Sequence, residues 1–170
     1  MRILAISGSL QQRSSNTRFL EAARTVAPDG VEVVLSRSVG EIPHFRPDGS
    51  EPVDDAVAEL RRELAAADAV LIATPEYAHA IPGSLKNALD WIVGSGELYA
   101  MPVAIVSAAP SPERGKNARE MLERTLRAQG AEIVSSTNVQ ISPREIEDLD
   151  LGTAAAAPAA LDGMVPNQTS

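Results

Sequence analysis

The chain has 170 residues, of which 44% are hydrophobic and 22% are charged, a composition typical of one globular domain with its own core. A formal net charge of −8 excludes broad electrostatic binding to nucleic acid or to an anionic membrane, and no run approaches the roughly 20 apolar residues of a membrane span. The absence of cysteine excludes disulfides, thiolate metal sites and a cysteine nucleophile, and it suits the cytoplasm, where we expect the protein to work.

Short apolar runs rich in Val and Ile recur along the chain. There are five, at residues 3–6, 31–35, 69–73, 103–106 and 133–134, the last extending up to 139. The first, third and fourth do not alternate with polar residues. Continuous runs of this kind are typical of strands buried on both faces of a parallel sheet.

Helical patterns lie between these strands. Apolar residues recur every three or four positions in three segments: Val53, Val57, Leu60 and Leu64; Leu85, Leu89 and Ile92; Ala118, Leu122 and Leu126. Gly130 follows the last segment, where a helix C-cap is expected. The alternation of strand and helix predicts right-handed βαβ units and a doubly wound α/β sheet.

Two regions depart from this alternation. Residues 36–52 contain three prolines and two glycines and predict a long surface loop. Residues 151–170 combine an alanine run with Pro, Gly and small polar residues, which favours a mostly disordered tail. The folded domain is therefore expected to span residues 1–150.

Three unusual loops lead from strands into helices. They are GSLQQRSSN at 8–16, TPEYAHAIPGS at 74–84 and SAAPSPERGK at 107–116. In an open parallel sheet, ligands bind at the carboxyl ends of the strands, where such loops lie. The first loop combines backbone N–H groups at a helix start with hydroxyl and amide side chains, which suits a phosphate. A serine-rich helix N-cap explains the same residues equally well.

Other phosphate, nucleophile and metal motifs are missing. The sequence contains neither a Walker A loop, nor a dinucleotide fingerprint, nor a nucleophile elbow. The two histidines, His44 and His79, are isolated and lack the spacing of zinc ligands, so no metal site is expected. Each is most simply an ordinary loop residue, although His79 lies in the second loop.

Taken together, the first two loops resemble those of the NADPH-dependent FMN reductase family, whose members begin with a strand and GSLRxxSxN and later carry PEYNxSxPGxLKNAxDW. Here residues 8–16 read GSLQQRSSN and residues 75–91 read PEYAHAIPGSLKNALDW. The second match is long and includes rare residues. The resemblance covers Met1 to about residue 145 and implies a flavodoxin-like fold, with a five-stranded parallel sheet between two layers of helices.

The resemblance also implies a function. NADPH or NADH would reduce bound FMN, which would pass electrons to a small-molecule acceptor such as free flavin, a quinone, an azo dye or a metal oxyanion. The FMN carries the redox chemistry, so no catalytic side chain is implied. The implied FMN-binding residues are Ser9, Gln11, Arg13, Ser14, Ser15, Asn16 and Thr17 in the first loop and the helix after it, Pro75, Glu76, Tyr77, Ala78 and His79 in the second loop, and Ser107 and Gly115 in the third.

The chain departs from the family pattern at several polar positions. The family arginine of the first loop is Gln11 here, and we expect Arg13 to supply the missing charge to the FMN phosphate. The Asn and Ser after the family tyrosine are Ala78 and Ala80. In the third loop, Arg114 and Lys116 either bind a nicotinamide cofactor's phosphate or simply lie at the surface.

Two functions from other classes stay open at this point. An electron carrier like flavodoxin suits the acidic surface, but the chain lacks a threonine-rich phosphate loop and has few aromatic residues to shield a flavin. A regulatory module that has lost flavin is compatible with the departures at Gln11 and Ala78.

The predicted helix at 84–93 bears on oligomeric state. Leu85, Leu89 and Ile92 form one stripe, and Ala88 and Trp91 lie outside it. This apolar surface is wider than one sheet face would bury, and members of the family pair through this helix. We therefore expect a homodimer or a homotetramer.

Overall fold

The structure is a computed structural model that describes residues 1–37, 39–48, 54–111 and 113–141, with Leu161 and Met164. Strands and helices alternate along this part of the chain. The elements are β1 (Arg2–Ser7), α1 (Ser15–Thr25), β2 (Glu32–Leu35), α2 (Asp55–Ala65), β3 (Ala69–Ala73), α3 (Gly83–Ile92), β4 (Pro102–Ala109), α4 (Lys116–Arg127) and β5 (Glu132–Gln140). A short 3-10 helix, Val39–Glu41, lies in the segment predicted to be a loop.

The five strands form one sheet in the order β2-β1-β3-β4-β5, and all neighbouring pairs are parallel. The chain moves outward from β1 to β2 and then crosses back to β3 on the other side. The carboxyl ends of β1 and β3 therefore lie at the point where the strand order reverses. This arrangement confirms the predicted doubly wound, flavodoxin-like sheet.

Helices cover both faces of the sheet, which gives three layers. One buried cluster joins α2, α3 and α4 to the sheet and includes Leu64, Leu85 and Leu122. The other joins α1 to the opposite face and includes Phe19 and Leu20. Every residue of β3 is buried, as expected for a central strand without alternation. No helix among the described residues has the length and apolar character needed to cross a membrane.

Helix α3 buries its apolar face inside the chain. Its buried residues are Leu85, Ala88, Leu89 and Ile92. The Trp91 indole Nε1 donates to the carbonyl oxygen of Pro43 at 2.8 Å, and the ring meets Phe45 edge-on with centroids 5.3 Å apart. The wide apolar surface expected to face a partner is thus covered within one chain. The buried residues of this helix therefore do not supply the partner surface that the sequence predicted, and the oligomeric state stays a prediction.

Two residues of the predicted tail contribute to the core. Leu161 is fully buried and Met164 is 5% exposed, and both belong to the cluster that joins α1 to the sheet. The sequence did not predict this packing, because the surrounding residues are small or polar. The rest of the segment 151–170 lies outside the described residues, so the expected disorder there stays a prediction.

Candidate functional site

A cleft of about 410 Å³ opens where the carboxyl ends of β1, β3 and β4 meet the three predicted loops. Eleven of the predicted site residues line it: Ser9, Gln11, Ser14, Ser15, Asn16, Pro75, Glu76, Tyr77, His79, Ser107 and Gly115. Three others, Arg13, Thr17 and Ala78, do not line it. The fold therefore brings loops that are distant in sequence to one place, as expected at a switch point.

The cleft wall also contains residues that were not predicted to bind FMN: Thr74, Ala108, Ala109, Pro110 and Arg114. Strand β4 continues to Ala109, beyond the apolar run at 103–106, and this extension places the two alanines on the wall. No motif marks such small residues. The sequence left open whether Arg114 binds a nicotinamide phosphate or lies at the surface, and the structure places it on the cleft wall.

The first loop packs tightly on β3. The Gly8 N–H donates to the carbonyl of Ala73 at 2.8 Å. A Cβ on Gly8 would lie 3.0 Å from both Leu85 Cδ2 and Thr74 Oγ1. A larger residue would push the loop away from the strand, so the glycine sets the position of the turn into α1.

The N-terminus of α1 borders the cleft. Ser14 is the N-cap, and its hydroxyl oxygen accepts a hydrogen bond from the Asn16 N–H at 3.2 Å. The N–H groups of Ser15 and Thr17 make no hydrogen bond with any described residue. These unused donors and the positive end of the helix dipole form a site suited to an anion.

Most of the predicted side-chain phosphate ligands also hold α1 in place. The Ala108 N–H donates to Asn16 Oδ1 at 2.9 Å, and the Ser15 hydroxyl donates to the Ala108 carbonyl at 2.8 Å. The Thr17 hydroxyl lies 2.8 Å from the Ser7 hydroxyl, which explains why Thr17 is not in the cleft wall. These bonds attach the helix N-terminus to β1 and β4, and the Asn16 Nδ2 remains available to a ligand.

The second loop contains a two-residue hairpin turn. Tyr77 and Ala80 exchange both backbone hydrogen bonds, each 3.0 Å long. The central residues Ala78 and His79 have φ angles of 49° and 62°, as in a type I′ turn. Such a turn favours Asn at its first central position, which is the family residue where this chain has Ala78. The N–H groups of Ala78 and His79 bond to no described residue and remain available.

Glu76 connects the second loop to α4. Its carboxylate accepts hydrogen bonds from the Ala118 N–H and from Asn117 Nδ2, both at 3.1 Å, and lies 3.3 Å from His79 Nδ1. Burial raises the pKa of Glu76, but the hydrogen bonds from Asn117, Ala118 and His79 together outweigh burial and lower it. The group is therefore ionised at neutral pH, at the positive end of α4.

The third loop needs a glycine at its end. Gly115 is the N-cap of α4 with a φ of 89°, and a Cβ there would lie 2.3 Å from Ser107 Oγ. The buried Ser107 hydroxyl also accepts a short hydrogen bond from Arg119 Nη1, and the amide of Asn138, turned to present Nδ2, lies 3.0 Å away. No residue with a side chain fits this close approach.

Several rare residues of the second motif lie away from the cleft. The Asn87 side chain donates to the Pro43 carbonyl at 2.9 Å and accepts from the Phe45 N–H at 2.8 Å. Lys86 and Asp90 form an ion pair 2.6 Å long on the surface of α3. Together with Trp91, these contacts hold the segment after the 3-10 helix on α3, so this part of the motif is structural.

Comparison with known proteins shows which family this chain belongs to. The family model of NADPH-dependent FMN reductases matches residues 1–144. The chain belongs to this family. It is 36% identical over 132 residues to an NAD(P)H-dependent FMN reductase of Pseudomonas aeruginosa, covering 74% of this chain and 69% of that protein. It is 27% identical over 164 residues to a quinone reductase of Escherichia coli K12, covering 90% and 87%.

Solved structures show the same fold. FerB, a flavoenzyme NAD(P)H:(acceptor) oxidoreductase of Paracoccus denitrificans, superposes with a TM-score of 0.73 at 22% identity, covering 96% of both chains. Flavodoxin 1 of Bacillus cereus superposes with a TM-score of 0.61 at 13% identity over the whole of both chains. The likeness to flavodoxin concerns the fold alone, whereas family membership makes the chain an oxidoreductase with FMN as cofactor and NAD(P)H as reductant.

The residues of the cleft fit FMN. The α1 N-terminus has free N–H groups and hydroxyls of the kind that bind a dianionic phosphate, and the turn of the second loop has two free N–H groups of the kind that bind a polar ring edge. The cleft volume of about 410 Å³ lies within the usual range of cofactor sites. Gly115 keeps the opposite wall free of a side chain.

Proposed function

We propose that this protein oxidises NADPH or NADH and passes the electrons through FMN, bound in the cleft, to small acceptors, first of all quinones and azo compounds. The cleft at the switch point, in a chain of this family, is the observation that carries the proposal. Its relatives include the quinone reductase of Escherichia coli and an NADPH azoreductase of a Bacillus strain. Free flavin and metal oxyanions are further candidate acceptors.

The N-terminus of α1 would hold the FMN phosphate. Its donors are the N–H groups of Ser15 and Thr17, the Asn16 Nδ2, and the hydroxyls of Ser9 and Ser14. Two negative charges on the phosphate are favourable there because the helix dipole is positive at this end. Attachment of Asn16 to β4 keeps these donors oriented before the cofactor arrives.

The second loop would hold the flavin ring, with Tyr77 beside it. Tyr77 is 52% exposed, so an apolar ring face is available for stacking. Pro75 and Pro82 stiffen the loop and lower the entropic cost of ordering it. The N–H groups of Ala78 and His79 would meet the ring edge that gains negative charge on reduction. Bound FMN supplies the two-electron chemistry, while the protein supplies position and electrostatics.

Reconstitution with FMN tests the proposal. We expect micromolar FMN to bind with a visible flavin spectrum, and steady NADPH oxidation with 1,4-benzoquinone in ping-pong kinetics. Failure to bind FMN would favour a regulatory module. A bound flavin that neither NADPH nor NADH reduces, but that accepts electrons from a partner protein, would favour an electron carrier.

We also propose that the protein is a cytoplasmic homodimer or homotetramer. The absence of cysteine suits a reducing compartment with a supply of NAD(P)H. Val93 and Tyr99, just after α3, are 58% and 79% exposed and offer apolar surface to a second copy. Light scattering of the purified protein tests this, and a monomer at micromolar concentration would contradict it.

A further inference from the structure

A histidine on the cleft wall is held by a carboxylate. His79 Nδ1 lies 3.3 Å from Glu76 Oε1, while the imidazole is 84% exposed. Its Nε2 makes no hydrogen bond with any described residue. The other ionisable side chains of the described lining are Glu76, Tyr77 and Arg114. His79 is thus the imidazole of this lining, and its two ring nitrogens can donate a proton at one position while keeping a hydrogen bond at the other.

The imidazole has a partner in both protonation states. In the protonated form, and in the neutral tautomer that keeps the Nδ1 proton, Nδ1–H can donate to the Glu76 carboxylate at 3.3 Å. In the other neutral tautomer, Nδ1 can accept from Asn117 Nδ2 at 3.1 Å. Asn117 Nδ2 also lies 3.1 Å from the same carboxylate oxygen and fixes it. A group with such partners can gain and lose a proton without moving.

The backbone also restrains this histidine. Its φ of 62° is unfavourable for a residue with a side chain, and the two hydrogen bonds of the hairpin turn maintain it. Backbone strain of this kind concentrates at functional sites.

Reduction of a quinone to a hydroquinone consumes two electrons and two protons. A hydride equivalent, which originates in NAD(P)H, brings both electrons and one proton. The second proton needs an acid. We propose that His79 is this acid: its Nε2–H bond breaks, an O–H bond forms on the acceptor, and the neutral imidazole that remains keeps the Nδ1 proton, which it donates in a hydrogen bond to the Glu76 carboxylate. Water then returns a proton to the exposed Nε2. This inference rests on the proposed function, with a quinone as acceptor.

The test compares two acceptors in His79→Asn, because Asn tolerates the left-handed backbone but cannot donate as an acid. Duroquinone needs protons, whereas ferricyanide takes electrons alone, and high ionic strength screens the charge of ferricyanide. We expect the ratio of the duroquinone rate to the ferricyanide rate to fall at least tenfold and to recover with added imidazole. His44→Asn, an exposed histidine outside the cleft lining, is the matched control and should keep the wild-type ratio.

A second measurement needs no turnover. The chain has two histidines, so the imidazole proton resonances of oxidised, FMN-loaded protein are assigned from the two Asn variants. Duroquinone added without NAD(P)H should shift the resonance of His79 and leave that of His44 unchanged. If His79→Asn keeps a rate ratio within twofold of wild type, or if the His79 resonance does not shift, His79 is not the proton donor. Either result leaves the proposed function unaffected. A wild type that reduces neither acceptor overturns the proposed function together with it.

Discussion

Ala78 has a backbone conformation that is unfavourable for its residue type. With a φ of 49° it occupies a conformation that costs a residue with a side chain about 1–2 kcal/mol. The family residue Asn tolerates this conformation, and glycine adopts it without strain. The loop therefore keeps its hairpin turn through the two bonds between Tyr77 and Ala80, despite the substitution.

We expect Ala78→Gly to stabilise the protein. The free energy gained by relieving the backbone strain exceeds the free-energy cost of glycine's extra conformational entropy in the unfolded chain by about 0.5–1 kcal/mol. The melting temperature should rise by roughly 1–4 °C. Ala100, with a φ of 55° and outside the cleft lining, is a matched site where Gly should act similarly without changing FMN affinity. A melting temperature at or below wild type in Ala78→Gly would contradict the strain.

Arg13 and Gln11 are also distinguished at the residue scale. Gln11 lines the cleft, whereas the Arg13 side chain is exposed and has no partner among the described residues. Because the Arg13 side chain can change rotamer, its guanidinium can still reach the FMN phosphate and offset its charge. A hydrogen bond to a charged group contributes about 1.5–3 kcal/mol to the binding free energy.

We therefore expect Arg13→Ala to weaken FMN binding by about 10- to 150-fold and Gln11→Ala by about 2- to 10-fold, from the loss of charged and neutral bonds respectively. Quenching of flavin fluorescence on titration measures both. Arg24→Ala, in the last turn of α1, controls for the loss of one positive charge. If Arg13→Ala bound FMN with an affinity within twofold of wild type, Arg13 would not be a phosphate ligand, and the residues that line the cleft would hold the phosphate alone.

At the scale of elements, Glu76 couples the second loop to α4. Its pKa is lower in the folded protein than the usual value of 4.5, so the folded state favours the ionised form. The resulting stability is present above pH 4.5 and is lost as the pH falls through the folded-state pKa. The carboxylate thus stabilises both the turn and the start of the helix.

Glu76→Gln should lower the melting temperature at pH 7, and the difference from wild type should shrink progressively below about pH 4.5, where the wild-type carboxyl becomes protonated. Thermal unfolding from pH 7 to pH 3 measures it. Glu21→Gln, on the exposed side of α1, controls for the loss of one surface carboxylate. A difference that stays constant over this range would show that the charge of Glu76 is not what stabilises the contact.

For the whole molecule, the packing of Leu161 decides where the domain ends. The residue is fully buried beside α1, far along the chain from the elements it covers. Burial of a leucine is incompatible with a tail that contributes nothing to stability.

We expect Leu161→Ala to cost about 2–5 kcal/mol, the usual range for a buried leucine, and to lower the melting temperature by roughly 4–20 °C. Differential scanning calorimetry with and without FMN measures the change. Val93→Ala, at a residue 58% exposed, should change stability by less than about 0.5 kcal/mol. If Leu161→Ala behaved like this control, the segment would not belong to the core.

The sequence by itself determined the sheet, the helices and the loops of the cleft, because these depend on local patterns. Continuous apolar runs, a spacing of three and four residues, and a long loop motif are all visible within short segments. The runs and the spacing sufficed to predict the parallel α/β fold, and the resemblance of the loop motif to the family implied most of the residues that line the cleft.

Only the tertiary structure decided which of those residues are available to a ligand. Asn16 bonds to Ala108, 92 residues away, and Glu76 bonds to Ala118, 42 residues away. Partners at such separations follow from strand order and helix packing, which no local pattern records. For the same reason, α3 could not be seen from the sequence to cover its apolar face within the chain, nor Leu161 to join the core.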